Sequence, residues 1–247
     1  MVAGVRERRE KRPSISGLGG PDRLPPTVVL VNGAGPGLGK TTLTRLLADA
    51  LGGRGAAVEL FVEEDILRRP EFEPVIQEFR TRPRVELQTL LDASREYVAE
   101  CGRRAKDFYI LDALFPYWLS LEAWAYTDAE VSQFLSDLGD LDDEVHWIEL
   151  YLEGDLNSGL ERAAEREGPG WIESQISKIS GFRLVDIPPR DSHGVAAYYR
   201  RTADRRRVLR AAVPWRVEVI QADLGPEASL AQALRFLDIS QAEAARR

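Results

Sequence analysis

Short apolar runs alternate along this chain with longer segments in which apolar residues recur every three or four positions. The first run, residues 27–31, is almost entirely aliphatic. Short runs rich in β-branched and aromatic side chains predict buried strands. The predicted strands cover residues 27–31, 56–62, 107–112, 144–152 and 215–220.

The segments between these runs have the spacing of amphipathic helices. Helices are predicted at residues 43–51, 85–98, 129–138, 155–166, 192–212 and 228–237, with a short helix and loop at 66–82. Alternating strands and helices favour a mostly parallel five-stranded sheet between helical layers. We therefore predict a three-layer α/β domain at 26–240, with a disordered tail at 1–25 and a C-terminal tail at 241–247.

A glycine-rich loop joins the first predicted strand to the first predicted helix. Its glycines let the backbone wrap closely around an anion, at which the helix N-terminus points its N–H groups. Lys40 adds a mobile positive charge, and Thr41 offers a hydroxyl to Mg²⁺. This order is that of a phosphate-binding loop (P-loop), so a nucleoside triphosphate is predicted to bind. Its phosphates would contact Gly35, Pro36, Gly37, Leu38, Gly39, Lys40, Thr41 and Thr42.

The alternative is a glycine-rich turn that only joins a strand to a helix. The strict P-loop pattern has Gly where this chain has Ala34, although Gly33 lies beside it. Small side chains remain throughout the loop, and the Gly-Lys-Thr-Thr sequence at 39–42 stands in the expected context. The phosphate site is therefore favoured.

Acidic residues stand where two predicted strands end. Glu63 and Glu64 follow the second strand, and Asp112 closes the third. Ligands of open α/β sheets gather at this edge. Glu63 or Glu64 is thus a candidate catalytic base, and Asp112 with Thr41 a candidate Mg²⁺ site. Alternatively, the glutamates form a solvated strand end and Asp112 caps the next helix.

Two arginines near the end of the helix at 155–166 suit a lid over nucleotide phosphates. Arg162 and Arg166 are four residues apart and share one helix face. The Gly-Pro-Gly sequence at 168–170 is a flexible break, so the lid is predicted at 162–192. Alternatively, both arginines pair only with neighbouring glutamates on the helix surface.

The candidate acceptor contacts are less specific. Gln88 shares a face of the helix at 85–98 with Asp92 and Arg95, and is either a substrate contact or an exposed helix residue. Aromatic residues are dense between 115 and 126. They either fill the core or form a stacking wall for a planar ligand. The candidate substrate contacts are Glu64, Gln88, Asp112 and Trp118.

Composition limits the partners and the cellular location that are expected for the protein. A net charge of −7 over 247 residues argues against a general nucleic-acid surface. Cys101 is the single cysteine, so no intrachain disulfide forms and a reducing cytoplasm is the simplest location. No apolar run reaches the roughly 18–20 residues that a bilayer span needs, so no membrane association is expected.

Motifs outside the P-loop indicate which class of P-loop protein this chain is. The Asn-Lys-x-Asp motif of GTPases is absent, and the acids stand singly, unlike those of motor ATPases. A kinase needs a base near the acceptor hydroxyl, Mg²⁺, and cations that neutralise the transferred phosphoryl group. The chain has candidate residues for the base, for the Mg²⁺ site and for the cations.

Residues 27–237 resemble the P-loop nucleoside and nucleotide kinases, most of all the deoxynucleoside kinases, with thymidylate kinase as the neighbouring family. The motifs that carry the resemblance are Gly35 to Thr42, Val62-Glu63-Glu64, Leu87-Gln88-Thr89-Leu90-Leu91, Leu111-Asp112, Leu160-Glu161-Arg162 to Arg166, and Tyr198-Tyr199-Arg200. The resemblance implies ATP as donor and a homodimer. It implies Glu63 or Glu64 as base, Gln88 on a nucleobase edge, and Arg162 and Arg166 on the ATP phosphates.

One departure from that family concerns the acceptor. The family usually has an acid followed by Arg after strand three, whereas Asp112 is followed here by Ala113 and Leu114. A phosphorylated acceptor such as dTMP is therefore disfavoured, unless Arg95 or Arg183 substitutes. The leading hypothesis is ATP-dependent phosphorylation of a hydroxyl on a nucleoside-like molecule. The alternatives are a phosphotransferase acting on an antibiotic or natural-product intermediate, and a non-catalytic ATP-binding regulator.

Overall fold

A computed structural model describes residues 25–104, 106–112, 115–141, 145–182, 187–211 and 213–244. The tail predicted at 1–25 lies almost entirely outside these residues, whereas Gln241 to Ala244 of the tail predicted at 241–247 are described and belong to the last helix. Ala113 and Leu114, which mark the departure from the kinase family, and Arg183 also lie outside the described residues.

Within the described residues, five parallel strands form one sheet, which confirms the predicted α/β class. They are β1 (Thr27–Gly33), β2 (Val58–Phe61), β3 (Phe108–Asp112), β4 (His146–Glu153) and β5 (Arg216–Gln221). Their order across the sheet is β2-β3-β1-β4-β5, and every neighbouring pair is parallel. All five carboxyl ends therefore lie at the same edge.

The central position of β1 places the glycine-rich loop. Val31 lies opposite Asp112 of β3, and Gly33 lies opposite Leu152 of β4. The chain builds one side of the sheet after β1 and then crosses to the other side for β4. The loop after β1 is thus at the point where the strand order reverses, which is where open α/β sheets bind ligands.

The helices cover both faces of the sheet. They are α1 (Lys40–Gly53), α2 (Glu73–Thr81), α3 (Leu87–Arg104), α4 (Trp118–Ala123), α5 (Asp128–Gly139), α6 (Leu156–Glu167), α7 (Trp171–Ser180), α8 (Ser192–Arg210) and α9 (Pro226–Ala244). Short 3₁₀ turns occur at Glu63–Leu67, Pro70–Phe72 and Ala222–Leu224. None of the helices in the described ranges is long and apolar enough to cross a membrane.

Alternation along β1 divides the core into two apolar clusters. Val28 and Leu30 belong to the cluster that contains Leu90 of α3, whereas Val29 and Val31 belong to the cluster that contains Leu43 of α1. Successive strand side chains point to opposite faces, so a strand that is apolar throughout must be covered on both sides. The three-layer arrangement follows from this pattern.

Several local predictions differ from the structure. Helix α4 lies in the aromatic segment between 115 and 126, where no helix was predicted, and α9 runs to Ala244 instead of ending at 237. The second strand ends at Phe61, and Glu63 to Leu67 form a 3₁₀ turn, because the Asp65 carboxylate accepts the Val62 N–H at 3.1 Å and closes the chain into a turn. Helix α7 was not among the predicted helices. It starts after Gly170, the last residue of the Gly-Pro-Gly break, which has a φ of 86°.

A close glycine contact holds α6 against the glycine-rich loop. Gly37 has a φ of 70°, and a Cβ atom there would lie 1.7 Å from the carbonyl oxygen of Gly159 in α6. In the reverse direction, a Cβ atom on Gly159 would lie 2.9 Å from the carbonyl oxygen of Pro36. The loop and the helix thus meet backbone to backbone, at a distance that only glycine allows.

We predict that Gly37→Ala disrupts this contact. A left-handed alanine and its clash with Gly159 should lower the free energy of unfolding by at least about 2 kcal/mol. Gly102→Ala in α3 is the control, because a Cβ atom there meets nothing within 4 Å and should raise stability by about 0.5–1 kcal/mol. Thermal unfolding and ATP titration measure both effects. Unchanged stability and ATP affinity in Gly37→Ala would contradict the contact.

Candidate active site

The glycine-rich loop forms a backbone cradle at the N-terminus of α1. The Ala34 N–H donates to the Leu152 carbonyl at 2.9 Å, which fixes the loop to β4. Gly39 has a φ of 88° and immediately precedes the helix. A Cβ atom on Gly35 would lie 2.7 Å from the end of the Leu156 side chain, so a larger residue there would require that side chain to move. The free N–H groups of the first helical turn attract anions.

Lys40 is the cation of the cradle. Its Nζ donates to the Gly35 carbonyl at 2.8 Å, which places the ammonium inside the loop. Burial lowers the pKa of Lys40 to about 8, although the Asp112 carboxylate acts in the opposite direction. A buried ammonium with few partners favours an incoming anion, because the anion restores the solvation that the lysine has lost.

Thr41 and Asp112 bring two candidate ligand oxygens together. The Thr41 hydroxyl donates to Asp112 Oδ2 at 2.6 Å. Asp112 is buried, and burial raises its pKa, while the Thr41 hydrogen bond and the Lys40 charge offset part of this effect. Mg²⁺ in nucleotide sites takes one or two such protein oxygens together with phosphate oxygens and water. The pair therefore fits the predicted Mg²⁺ site.

The two candidate bases occupy different positions in the turn after β2. Both Glu63 and Glu64 are exposed. Glu63 lines the cleft beside the loop, and its charge raises the pKa of Lys40. Glu64 does not line the cleft, although its charge raises the pKa of Asp112. The geometry thus separates two residues that the sequence left equivalent.

The two predicted lid arginines approach the loop differently. Arg162 Nε donates to the Gly37 carbonyl at 3.2 Å, so it contacts the loop backbone. Arg166 lines the cleft and forms an ion pair with Glu167 at 2.8 Å. Its side chain is 65% exposed, so this surface pair holds it only weakly. Arg166 therefore pairs with a neighbouring glutamate and also lines the cleft.

One cleft of about 730 Å³ at the carboxyl edge of the sheet is lined by Lys40, Thr41, Glu63, Asp112 and Arg166. Its polar half is lined by β1 and the loop, by Asp112, and by residues of α6, α7 and α8. Its apolar half is lined by the Glu63–Leu67 turn, by α2, α3 and α4, and by residues 117 and 124. A cleft of this volume is within the range of small-molecule sites.

The candidate acceptor contacts are divided between the cleft and the protein surface. Trp118 lines the apolar half but is buried, and its indole N–H donates to Glu149 at 3.4 Å. Gln88 is exposed, does not line the cleft, and donates to Asp92 at 2.9 Å. Arg95 pairs with the same Asp92 at 2.6 Å, also away from the cleft. The shared helix face predicted for these three residues is thus a surface face.

Arg206 is a site residue that the sequence analysis missed. It lines the cleft and is buried, and its guanidinium donates one hydrogen bond to each carboxylate oxygen of Glu122, both at 2.7 Å. The guanidinium also donates to the carbonyl of Gly33 at 3.2 Å, directly before the loop. Helical spacing was an available signal, since Arg206 lies seven residues after Tyr199 and three before Leu209, both buried on α8.

The sequence analysis also missed a buried polar pair, Asn32 and Glu149, near the start of the loop. The Asn32 side-chain amide donates to the Phe115 carbonyl and to Glu149 Oε1, both at 2.8 Å. Glu149 is fully buried, and burial raises its pKa. A carboxylate inside the apolar run of β4 was the available signal, because such a residue requires internal partners. Lys178 of α7, a further cation on the cleft, had no distinctive sequence context.

Comparisons with known proteins give a loose structural likeness. No protein-family model matches the chain, and no curated protein matches it. A shikimate kinase from Bacteroides thetaiotaomicron superimposes with a TM-score of 0.46 and 14% identity over 86% of this chain and 98% of that one. A shikimate kinase from Acinetobacter baumannii in complex with shikimate superimposes with a TM-score of 0.42 and 18% identity over 88% of this chain and 94% of that one. These overlaps do not identify a substrate, and the resemblance to deoxynucleoside and thymidylate kinases stays a prediction.

The lowered pKa of Lys40 predicts a pH-dependent affinity for ATP. Only the ammonium attracts phosphate, and the free protein loses it above about pH 8. The Kd for ATP should therefore be constant at lower pH and rise up to about tenfold per pH unit above that value. Calorimetric titration between about pH 6 and 9.5 measures this. Lys40→Arg, which keeps its charge throughout, should remove the dependence, and a flat wild-type profile would contradict the prediction.

Proposed function

We propose that this protein is an ATP-dependent kinase that transfers the γ-phosphoryl group to a hydroxyl of a small organic acceptor. One observation carries the proposal: the cradle of Lys40, Thr41 and Asp112 opens into the same cleft as Glu63 and an apolar half. The cleft therefore has a place for a triphosphate and, beside it, a place for a second molecule.

The loop residues perform the donor chemistry. Gly35 to Thr42 hold the ATP phosphates with backbone N–H groups, and the Lys40 ammonium neutralises charge on the β- and γ-phosphates. Thr41 and Asp112 would hold Mg²⁺, which, when bound, neutralises further phosphate charge. Arg206 keeps the end of β1 in place through its bond to Gly33.

Glu63 is the favoured base on the acceptor side. It lines the cleft from the turn after β2, whereas Glu64 is not among the residues that line the cleft. A general base must lie within hydrogen-bond reach of the acceptor hydroxyl. Glu63 would orient this hydroxyl for in-line attack on the γ-phosphorus and accept its proton.

The segment predicted as a lid supplies further positive charge. Arg166 and Lys178 line the cleft from α6 and α7, on either side of Gly168 and Gly170, which both have positive φ values. Arg162 contacts the loop carbonyl of Gly37. These cations would stabilise charge on the transferred phosphoryl oxygens, and the glycine break would let α7 move toward the nucleotide.

The first test is acceptor-dependent ADP release with ATP, Mg²⁺ and a screen of nucleosides followed by unrelated alcohols. One acceptor class should stimulate release. Lys40→Ala should lower kcat at least about 100-fold, because it removes a charge that stabilises the transition state, and leave thermal unfolding unchanged. Full activity in Lys40→Ala would contradict the proposal. Tight ATP binding with no stimulation by any acceptor would favour a regulatory protein instead.

A second prediction separates the two glutamates. Glu63→Gln should lower kcat about 100-fold, since it removes the base without changing the size of the side chain. Glu64→Gln is the matched control, and its effect should stay below about tenfold because an exposed charge acts only weakly on Asp112. Steady-state kinetics at fixed pH measure both. A larger loss in Glu64→Gln would reassign the base.

A further inference from the structure

Apolar side chains from several helices and turns line the apolar half of the cleft. The turn after β2 contributes Ile66 and Leu67, and α2 contributes Ile76 and Phe79. Leu119 of α4 and Trp124 complete this surface. The Phe79 and Trp124 rings lie 6.2 Å apart at 49°, so one side of the entrance is aromatic.

Two of these side chains are unusually exposed. The described residues leave five large hydrophobic side chains exposed, and the only two that line the cleft are Leu67, at 66%, and Phe79, at 61%. Exposed apolar groups gathered at the rim of a concave site mark a binding surface, because a ligand that covers them removes their contact with water.

Some polar side chains that line the cleft already have partners inside the protein. The Tyr117 hydroxyl lies 3.1 Å from the Ser94 hydroxyl, and the Trp118 indole N–H donates to Glu149. The Asn32 side-chain N–H groups donate to the Phe115 carbonyl and to Glu149. The Tyr117 hydroxyl, the Trp118 indole N–H and the Asn32 N–H groups are therefore engaged inside the protein.

Charge is sparse in the apolar half. Among the described residues that line it, only Glu63 and Arg80 are charged. Glu63 is needed for the reacting hydroxyl, which leaves Arg80, the Ser120 hydroxyl and the Trp124 indole N–H for further polar substituents. A polyol or a nucleoside carries more polar groups than these can pair, so its burial here would leave some of them without a partner.

We propose that the acceptor is an alcohol with an apolar, partly aromatic body and a single reacting hydroxyl. This inference rests on the proposed kinase function. The hydroxyl oxygen forms a bond to the γ-phosphorus of ATP while the bond from that phosphorus to the β-bridging oxygen breaks. ADP leaves, and the hydroxyl proton passes to the Glu63 carboxylate. The apolar body packs against Leu67, Phe79 and Trp124.

The test compares planar apolar alcohols with polar ones. Indole-3-ethanol and 2-naphthaleneethanol represent the proposed class, and thymidine and shikimate represent nucleosides and polyols. ADP release measures transfer, and calorimetric titration in the presence of a non-hydrolysable ATP analogue measures binding independently. The apolar alcohols should bind and stimulate ADP release with a kcat/KM at least about tenfold above that of either polar compound.

Leu67 and Leu224 provide a matched pair of variants. Both end a 3₁₀ turn and both are exposed, at 66% and 68%, but only Leu67 lines the cleft. Leu67→Ser should raise the Kd and KM for the apolar alcohols about tenfold, which corresponds to about 1.4 kcal/mol, and leave the Kd for ATP unchanged. Leu224→Ser should change neither value.

The two readouts separate failure of this inference from failure of the kinase proposal. Turnover of thymidine or shikimate in preference to the apolar alcohols would overturn the inference and support the kinase. Binding of apolar alcohols that Leu67→Ser weakens, without any ADP release, would support the apolar site and remove the kinase function. Absence of apolar-alcohol binding, or equal effects of Leu67→Ser and Leu224→Ser, would overturn the inference.

Discussion

The pairing of β1 between β3 and β4 is the constraint on which the cleft depends. Because all three strands are parallel, the loop after β1 and the carboxylate that ends β3 emerge at the same edge. The 2.6 Å bond from Thr41 to Asp112 joins residues 71 positions apart in the sequence and is a direct result. An antiparallel β3 would place Asp112 at the opposite end of the sheet.

Buried polar groups keep this edge in register. Arg206 ties the end of β1 to α4 through Glu122, and Asn32 ties it to Glu149 and to the chain leading into α4. Ions lose hydration when they are buried, so such groups persist only where their partners are fully placed. Loss of one member leaves another uncompensated, which makes the network a positional lock for both halves of the cleft.

Local features were predictable, whereas long-range ones were not. The strand β1 and the loop at 34–42 follow from neighbouring residues, because aliphatic runs and glycines act within a few positions. The strand order, the Arg206–Glu122 pair and the surface location of Gln88 depend on how separate elements dock. Gln88 illustrates the difference: its helix was predicted, but the face of α3 that packs inward is set by Leu90 and Leu91.

The two halves of the cleft are physically coupled. Burial lowers the pKa of Lys40 and raises that of Asp112, so water is already partly excluded around these two groups. An apolar acceptor in the neighbouring half would displace more water and strengthen the attraction between Lys40 and the phosphates, since charges interact more strongly at lower effective dielectric constant. A strongly hydrated acceptor would bring water to the same position. The apolar wall therefore acts in the proposed reaction on phosphoryl transfer as well as on the choice of acceptor.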